Sequence, residues 1–109
     1  MPPDINETDW KVLRRVHPLA LDRFCGRALG EVECIMLNGA LSHHEHYVEI
    51  FNLMQRRDGD TARLFDDPKR SRTLTMLAHM RSDGVITQEE FSSLSLQARN
   101  VVHMLIGAG

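Results

Sequence analysis

The chain has 109 residues, of which 13 are Lys or Arg and 15 are Asp or Glu, so its formal net charge is -2. This length allows one domain with one core, and the small net charge excludes the strong cationic field that general nucleic-acid binding needs. Cys25 and Cys34 are nine positions apart, so on a shared helix they would point in opposite directions and stay reduced. Apolar runs reach only four residues, which is too short for a membrane-spanning helix. We therefore expect a soluble, cytoplasmic protein.

Residues 1–7 are polar and include two prolines, so we expect them to form a loose N-terminal arm. Residues 8–109 are expected to form a single helical domain. Its first helix is predicted over residues 8–17, with Asn6 or Thr8 as the capping residue. Pro18 disfavours helical geometry at the residue before it, so this helix is expected to end or kink there.

A second helix is predicted over residues 19–37, with Gly39 as its stop signal. Its apolar side chains recur at three- and four-residue spacing, which is typical of a stripe that faces a core; they are Leu21, Phe24, Cys25, Ala28, Val32, Ile35 and Met36. The place of Cys25 on this stripe predicts a buried, unreactive thiol. Gly26 and Gly30 lie one turn apart, a spacing that permits close approach of a neighbouring helix or has no particular role.

Ser42 and Glu45 form a predicted capping box, in which the serine hydroxyl caps the first turn and the glutamate reaches back. The helix that they open places four apolar side chains on one face, namely Tyr47, Ile50, Phe51 and Met54. Two ends are compatible with the pattern. Either Gly59 terminates the helix near residue 57, or the stripe continues to about residue 66.

Two further helices complete the expected fold. Asp67-Pro68 is typical of a helix start and Gly84 of a helix end, which predicts a helix over residues 68–82. Thr87 and Glu90 form a second capping box, after which the chain is helical to residue 106 or is broken by the serines at 92, 93 and 95 before a final helix from about residue 96. The expected fold is all-α, a compact bundle of about five helices over residues 8–17, 19–37, 43–57 (or to 66), 68–82 and 88–106.

The stretch 83–91 resembles the second half of an EF-hand calcium loop, with Gly84 at the sixth loop position and Glu90 at the twelfth. An EF-hand also needs oxygen ligands at the first and third positions, where this chain has His79 and Arg81. Because an arginine opposes a divalent cation, we interpret the glycine and the glutamate as helix-capping residues instead.

A candidate metal site lies at the start of the third helix. His43, His46 and Glu49 follow one another at three-residue spacing, so one helix face could offer two imidazoles and a carboxylate. The zinc-protease pattern His-Glu-x-x-His is not satisfied, because Val48 occupies the place of its second histidine. The other interpretation is a solvated first turn whose polar side chains satisfy backbone amides.

A second candidate site is cationic. Residues 56–72 hold six cations and four acids in alternation, a pattern that favours ion pairs over a phosphate-binding surface. Lys69, Arg70 and Arg72 lie at a predicted helix start, where backbone amides point outward, and could contact an anion or a nucleic acid. No aromatic platform for stacked bases accompanies them, so nucleic acid is not the expected partner.

Some leucines fall off the predicted stripes, and a bundle of this size has difficulty burying them all; they are Leu29, Leu37, Leu53 and Leu96. The last helix is also more apolar than a one-faced helix requires, and its candidate interface residues are Leu96, Val101, Met104 and Leu105. We therefore expect a non-enzymatic interaction or regulatory module without a cofactor, which forms a homo-oligomer, most simply a homodimer, or binds a protein partner. The alternatives are a metal- or ligand-binding protein that uses the histidine cluster, and the anion or nucleic-acid contact.

Overall fold

The computed structural model describes residues 5–108 of the chain, and side-chain environments up to residue 107. Five α-helices form this part of the chain, which contains no β-strand; they are α1 (Glu7–Met36), α2 (His43–Phe65), α3 (Thr73–Ser82), α4 (Gln88–Ser92) and α5 (Leu96–Ala108). The predicted all-α class is confirmed. Asn6 caps α1 by accepting a hydrogen bond from the amide of Asp9 at 2.8 Å, and Glu7 is already helical. Of the predicted arm, residues 1–4 lie outside the described range.

The two helices predicted on either side of Pro18 are one helix. The prediction of an end or kink at this proline is wrong, because α1 continues for 30 residues with Pro18 in its interior. Pro18 and Arg14 are both exposed, so the carbonyl that loses its partner can be hydrated. Val16 and Ala20 on the inner face are buried in the same core, and this burial holds the two halves in line.

Gly59 does not end α2, which reaches Phe65, so the longer of the two alternatives is correct. Arg57 pairs with Asp60 at 2.9 Å across the glycine, and Leu64 and Phe65 are buried beyond it. Packing of these two side chains exceeds the cost of about 1 kcal/mol for one glycine in a helix. The capping box at the other end is confirmed, with distances of 2.9 and 3.1 Å between Ser42 and Glu45.

The chain enters α3 differently from the prediction. Asp67 has a φ of 55°, a left-handed conformation that aspartate tolerates, and it therefore does not cap a helix at Pro68. A short 3-10 helix at Arg70–Arg72 comes first, and α3 begins at Thr73, whose buried hydroxyl donates to the carbonyl of Lys69 at 3.0 Å. The predicted end is confirmed, since Gly84 follows α3 with a φ of +73°.

The last predicted helix is two helices, as the serine-rich break allowed. The capping box of Thr87 and Glu90 opens α4, with distances of 2.8 and 3.0 Å. Ser95 opens α5, because its hydroxyl accepts from the amide of Ala98 at 3.1 Å. The carboxylate of the buried Asp9 accepts from both the amide and the hydroxyl of Ser95, at 2.8 and 2.7 Å, and this contact fixes α5 to the start of α1.

One hydrophobic core lies at one end of the molecule, which we call the base. It contains the first half of α1, the end of α2 and all of α3, α4 and α5. Its fully buried large side chains are aliphatic or methionine, namely Leu13, Val16, Leu64, Met76, Leu77, Met80, Val85 and Val102. Two arginines of α1 also bind the turn between α3 and α4. Arg23 donates to Glu90 at 2.7 and 2.9 Å, and Arg27 donates to the carbonyls of Asp83, at 2.7 Å, and Gly84.

The rest of α1 and α2 extends away from the base as an antiparallel pair of helices, which we call the distal hairpin (residues 25–57). The pairing of Glu31 with Arg57 and of His17 with Phe65 shows the antiparallel register. The molecule measures 53 × 27 × 24 Å and has a radius of gyration of 16.8 Å, against about 13 Å for a compact domain of this length. Compact packing is therefore a property of the base and not of the whole chain.

Candidate interaction surface

The distal hairpin buries very little of itself. Of its 33 residues, only Ala28 and Leu53 are buried. Each α-helix needs a neighbour for its apolar stripe, and stable domains supply it with at least two packed layers. At the base the second layer is α3 to α5, whereas in the distal hairpin α1 and α2 pack, among the described helices, only against each other.

A groove between α1 and α2 opens on one side of this hairpin. Its lining is mostly apolar and consists of Phe24, Cys25, Ala28 and Leu29 from α1 with Met54, Arg57, Asp58 and Thr61 from α2. The turn between α3 and α4 lies against the other side of α1, because Arg23 and Arg27 reach it there. The groove therefore faces away from the rest of the base.

Helical spacing continues this surface toward the tip of the hairpin. Val32 and Met36 follow Leu29 by three and seven residues, and Phe51 and Tyr47 precede Met54 by three and seven, so each set shares one side of its helix. We call the combined surface the hairpin face; it is formed by Cys25, Leu29, Val32 and Met36 of α1 and by Tyr47, Phe51 and Met54 of α2.

The hairpin face exposes several large apolar side chains on one side of the two helices. The exposed fractions are 64 % for Leu29, 57 % for Met36, 71 % for Tyr47 and 53 % for Phe51. Single exposed leucines are ordinary on protein surfaces, but a contiguous apolar patch marks an interaction site.

One ion pair holds the two helices of the hairpin together beside this face. Arg57 donates to Glu31 at 2.8 and 2.9 Å and to Asp60 at 2.9 Å. These hydrogen bonds hold the pKa of Glu31 below and the pKa of Arg57 above their ordinary values. Both side chains stay partly exposed, so solvent limits the contribution of such a pair to about 1 kcal/mol or less.

The stripes that the sequence showed in the distal hairpin are therefore only partly core: Ala28 is buried, but several of the other members lie at the surface. Cys25, predicted to be buried, is exposed, and so are Met36, Tyr47 and Phe51. Leu53, which falls off the predicted stripe, is the buried residue instead. The periodicity identified residues whose burial would be favourable, but the described helices bury only some of them.

The candidate interface on α5 is partly exposed as well. Leu96, Met104 and Leu105 are exposed and Val101 is half-buried. Val101 and Leu105 border the core-facing side of α5, whereas Leu96 lies about 140° from Val101 around the helix axis. The four side chains consequently do not form one patch, and the apolar surface of α5 is less continuous than the hairpin face.

The structure does not assemble the candidate metal ligands into a site. His46 is hydrogen-bonded through Nε2 to the carbonyl of Asn38 at 2.8 Å, whereas His43 and Glu49 are exposed. Within residues 5–108, no group of three or more His, Cys, Asp or Glu side chains is arranged to hold a metal ion. A site formed by these three residues stays a prediction from spacing.

Each of the three candidate anion-binding cations contacts an acidic or carbonyl group of its own chain. Lys69 lies 3.0 Å from the carboxylate of Asp67, and Arg70 lies 2.8 Å from that of Glu7 and over the ring of Trp10. Arg72 donates to the carbonyl of Asp66 at 2.7 Å. These contacts hold the loop between α2 and α3 in place, and binding of an anion by the three cations stays a prediction.

The segment that resembles a calcium loop is held by arginine. Arg23 binds both carboxylate oxygens of Glu90 and holds its pKa at about 2, helped by the amide of Thr87. The residue in the place of the calcium-binding glutamate thus fixes α4 to α1. This arrangement agrees with the interpretation of Gly84 and Glu90 as capping residues.

No known protein family, curated protein or solved structure matches this chain. Among the described helices, none is both long and apolar enough to cross a membrane.

Proposed function

We propose that this chain is a non-enzymatic helical protein–protein interaction module and that the hairpin face is its binding surface. The observation that carries the proposal is the distal hairpin itself, 33 residues of which two are buried. Ordering a residue costs on the order of 1–2 kcal/mol of backbone entropy, and two-helix segments in water depend on tertiary packing to offset it. A partner on the hairpin face supplies that packing.

The composition of the hairpin face supports a protein as the occupant. Protein interfaces have aromatic and methionine residues at their centre and few charges, and this face offers Tyr47, Phe51, Met36 and Met54 without a charged residue among its seven members. Methionine side chains adapt their shape to a partner. Ion pairs such as Arg57 with Glu31 lie beside the apolar stripes, in the position of a polar rim.

The exposed thiols support a reducing compartment for this function. Cys25 and Cys34 are both unpaired and exposed, a condition that an oxidising compartment does not preserve. The proposal therefore places the protein in the cytoplasm.

Site-specific photo-cross-linking in the producing cells tests the proposal. A photoreactive residue replaces Phe51 on the hairpin face or, as the matched control, Leu96 on α5, another exposed apolar position. We expect a defined protein cross-link at position 51 that disappears when Leu29 is changed to Ser in the same chain. Cross-links at position 96 with none at position 51 would move the interaction surface to α5 and contradict the proposal.

A further inference from the structure

We propose that the occupant of the hairpin face is a second copy of this chain, so that two distal hairpins pack face to face into a four-helix bundle. This inference rests on the proposed function and names its partner. The other helices of the chain cannot cover the face, because α3, α4 and α5 are packed in the core of the base. A second copy supplies a hairpin with the same two helices and therefore with apolar stripes of matching length and spacing. Two such helix pairs packed against each other form a four-helix bundle.

Charge permits the face to meet itself. The hairpin face has no charged member, and the groove adds Arg57 and Asp58, which have opposite signs. In a two-fold dimer both copies use the same surface, so if residue i of one copy contacts residue j of the other, residue j of the first also contacts residue i of the second. A face with a net charge would therefore repel its own copy. Arg57 and Asp58 add one charge of each sign to the groove lining, and Arg57 is paired with Glu31 and Asp60 within the chain. No excess of one sign lies among the apolar members that two copies would bring together.

The available area fits a weak dimer. The face runs for 12 residues on α1, from 25 to 36, and for eight residues on α2, from 47 to 54, which is about 17 Å and about 11 Å along the helix axes. Two packed helices are about 20 Å wide. A face of about 14 by 20 Å covers roughly 300 Å², so two faces bury roughly 600 Å² in total. This area is below the lower limit of about 1,000 Å² for a stable specific interface, and we therefore expect a weak, reversible dimer with a dissociation constant in the micromolar range rather than an obligate dimer.

Light scattering or equilibrium sedimentation of the full chain, from about 1 µM to about 300 µM, tests the inference. We expect the mass to rise from 12.5 kDa to twice that value. The variant Leu29→Ser/Phe51→Ser removes two side chains of the face and should stay monomeric over the whole range. The matched control Leu19→Ser/Leu96→Ser removes two other exposed leucines and should dimerise like the wild type.

Circular dichroism separates loss of association from loss of folding. All four substituted side chains are more than two-fifths exposed, so the helical signal of both variants should match that of the monomeric wild type. A wild type that remains at 12.5 kDa throughout, or a face variant that still dimerises, overturns the inference.

The failure of this inference can be distinguished from that of the proposed function. If the purified chain is monomeric but position 51 cross-links to a different protein in cells, the second copy is wrong and the binding surface stands. If the purified chain is monomeric and position 51 gives no cross-link, both are wrong. A wild-type dimer together with a position-51 cross-link between two copies supports both.

Discussion

Glu90 accepts hydrogen bonds from the start of its own helix and from both terminal nitrogens of Arg23 on α1. Its carboxylate is largely buried, and Arg23 holds its pKa at about 2, against an ordinary value near 4.5. A carboxyl group whose pKa is lowered by folding stabilises the folded state above its unfolded pKa, and this stabilisation is lost as the pH falls through the folded pKa. The loss for Glu90 therefore occurs between about pH 4.5 and pH 2.

Glu90→Gln should lower the free energy of unfolding at pH 7 by roughly 1–3 kcal/mol, the usual loss for hydrogen bonds to a charged group. Because the glutamine does not titrate, the stability of the variant should fall less steeply than that of the wild type below pH 4.5. Urea unfolding at a fixed protein concentration, at pH 7 and at pH 3, measures both effects. Glu89→Gln is the matched control, since Glu89 is exposed on the same turn; equal losses in the two variants would contradict the assigned role.

Among the helices and turns, Gly30 and Gly84 differ in whether their backbone position requires a glycine. Gly30 lies inside α1, and a Cβ there would meet no atom within 4 Å, whereas Gly84 has a φ of +73° and a Cβ there would contact Arg27 at 3.5 Å. Gly30→Ala should therefore raise the stability by up to about 1 kcal/mol through helix propensity. Gly84→Ala should lower it by about 1 kcal/mol or more, because alanine avoids a positive φ.

Thermal unfolding of both glycine variants at one protein concentration checks these opposite signs. The spacing of Gly26 and Gly30 suggested either close approach of a helix or no particular role, and among the described residues no atom lies within 4 Å of a Cβ placed at either position. A destabilising Gly30→Ala would show that another helix packs there and would place the second copy on a different side of α1.

Element ends that depend on local hydrogen bonds could be predicted from the sequence. Both capping boxes, the turn at Gly84 and the cap at Asn6 (one of the two residues predicted for it) need only residues within five positions, and all are confirmed. Pro18 and Gly59 are different, because burial of distant side chains such as Leu64 decides whether the helix continues. Asp67-Pro68 failed for a similar reason, since the turn that joins α2 to α3 sets a left-handed residue there.

For the molecule as a whole, the apolar stripes of the sequence include side chains that pack within the chain and side chains that, in our proposal, contact a partner. The stripes of the base and of the distal hairpin have the same periodicity, and from sequence alone both predict core. Only the arrangement of the helices shows that the base stripes face one another, whereas Leu29, Met36, Tyr47 and Phe51 face outward. An apolar stripe that the described helices leave exposed indicates an interface. It is recognised by comparing the apolar periodicity of the sequence with the burial of each side chain in the structure.

The elongated shape follows from the same division. The base holds the hydrophobic core and the polar contacts of Asp9 and Arg23, and Arg27 at the start of the distal hairpin also binds its turn between α3 and α4. The base can therefore fold without the hairpin face being covered. The distal hairpin adds length and exposed apolar area, and in our proposal it acquires its second layer from the partner. Local stability is thus expected to be lowest in the distal hairpin of the isolated chain.

If the hairpin face is covered in the working protein, the two native cysteines differ in their access to reagents. Cys25 lies on the face, and Cys34 lies on the same helix about 180° away from it; both are exposed in the single chain. The measurement is the ratio of Cys25 to Cys34 labelling by a membrane-permeant maleimide in the producing cells, read by mass spectrometry. We predict a ratio several-fold lower in the wild type than in Leu29→Ser/Phe51→Ser, and an equal ratio in the two proteins would contradict coverage of the hairpin face.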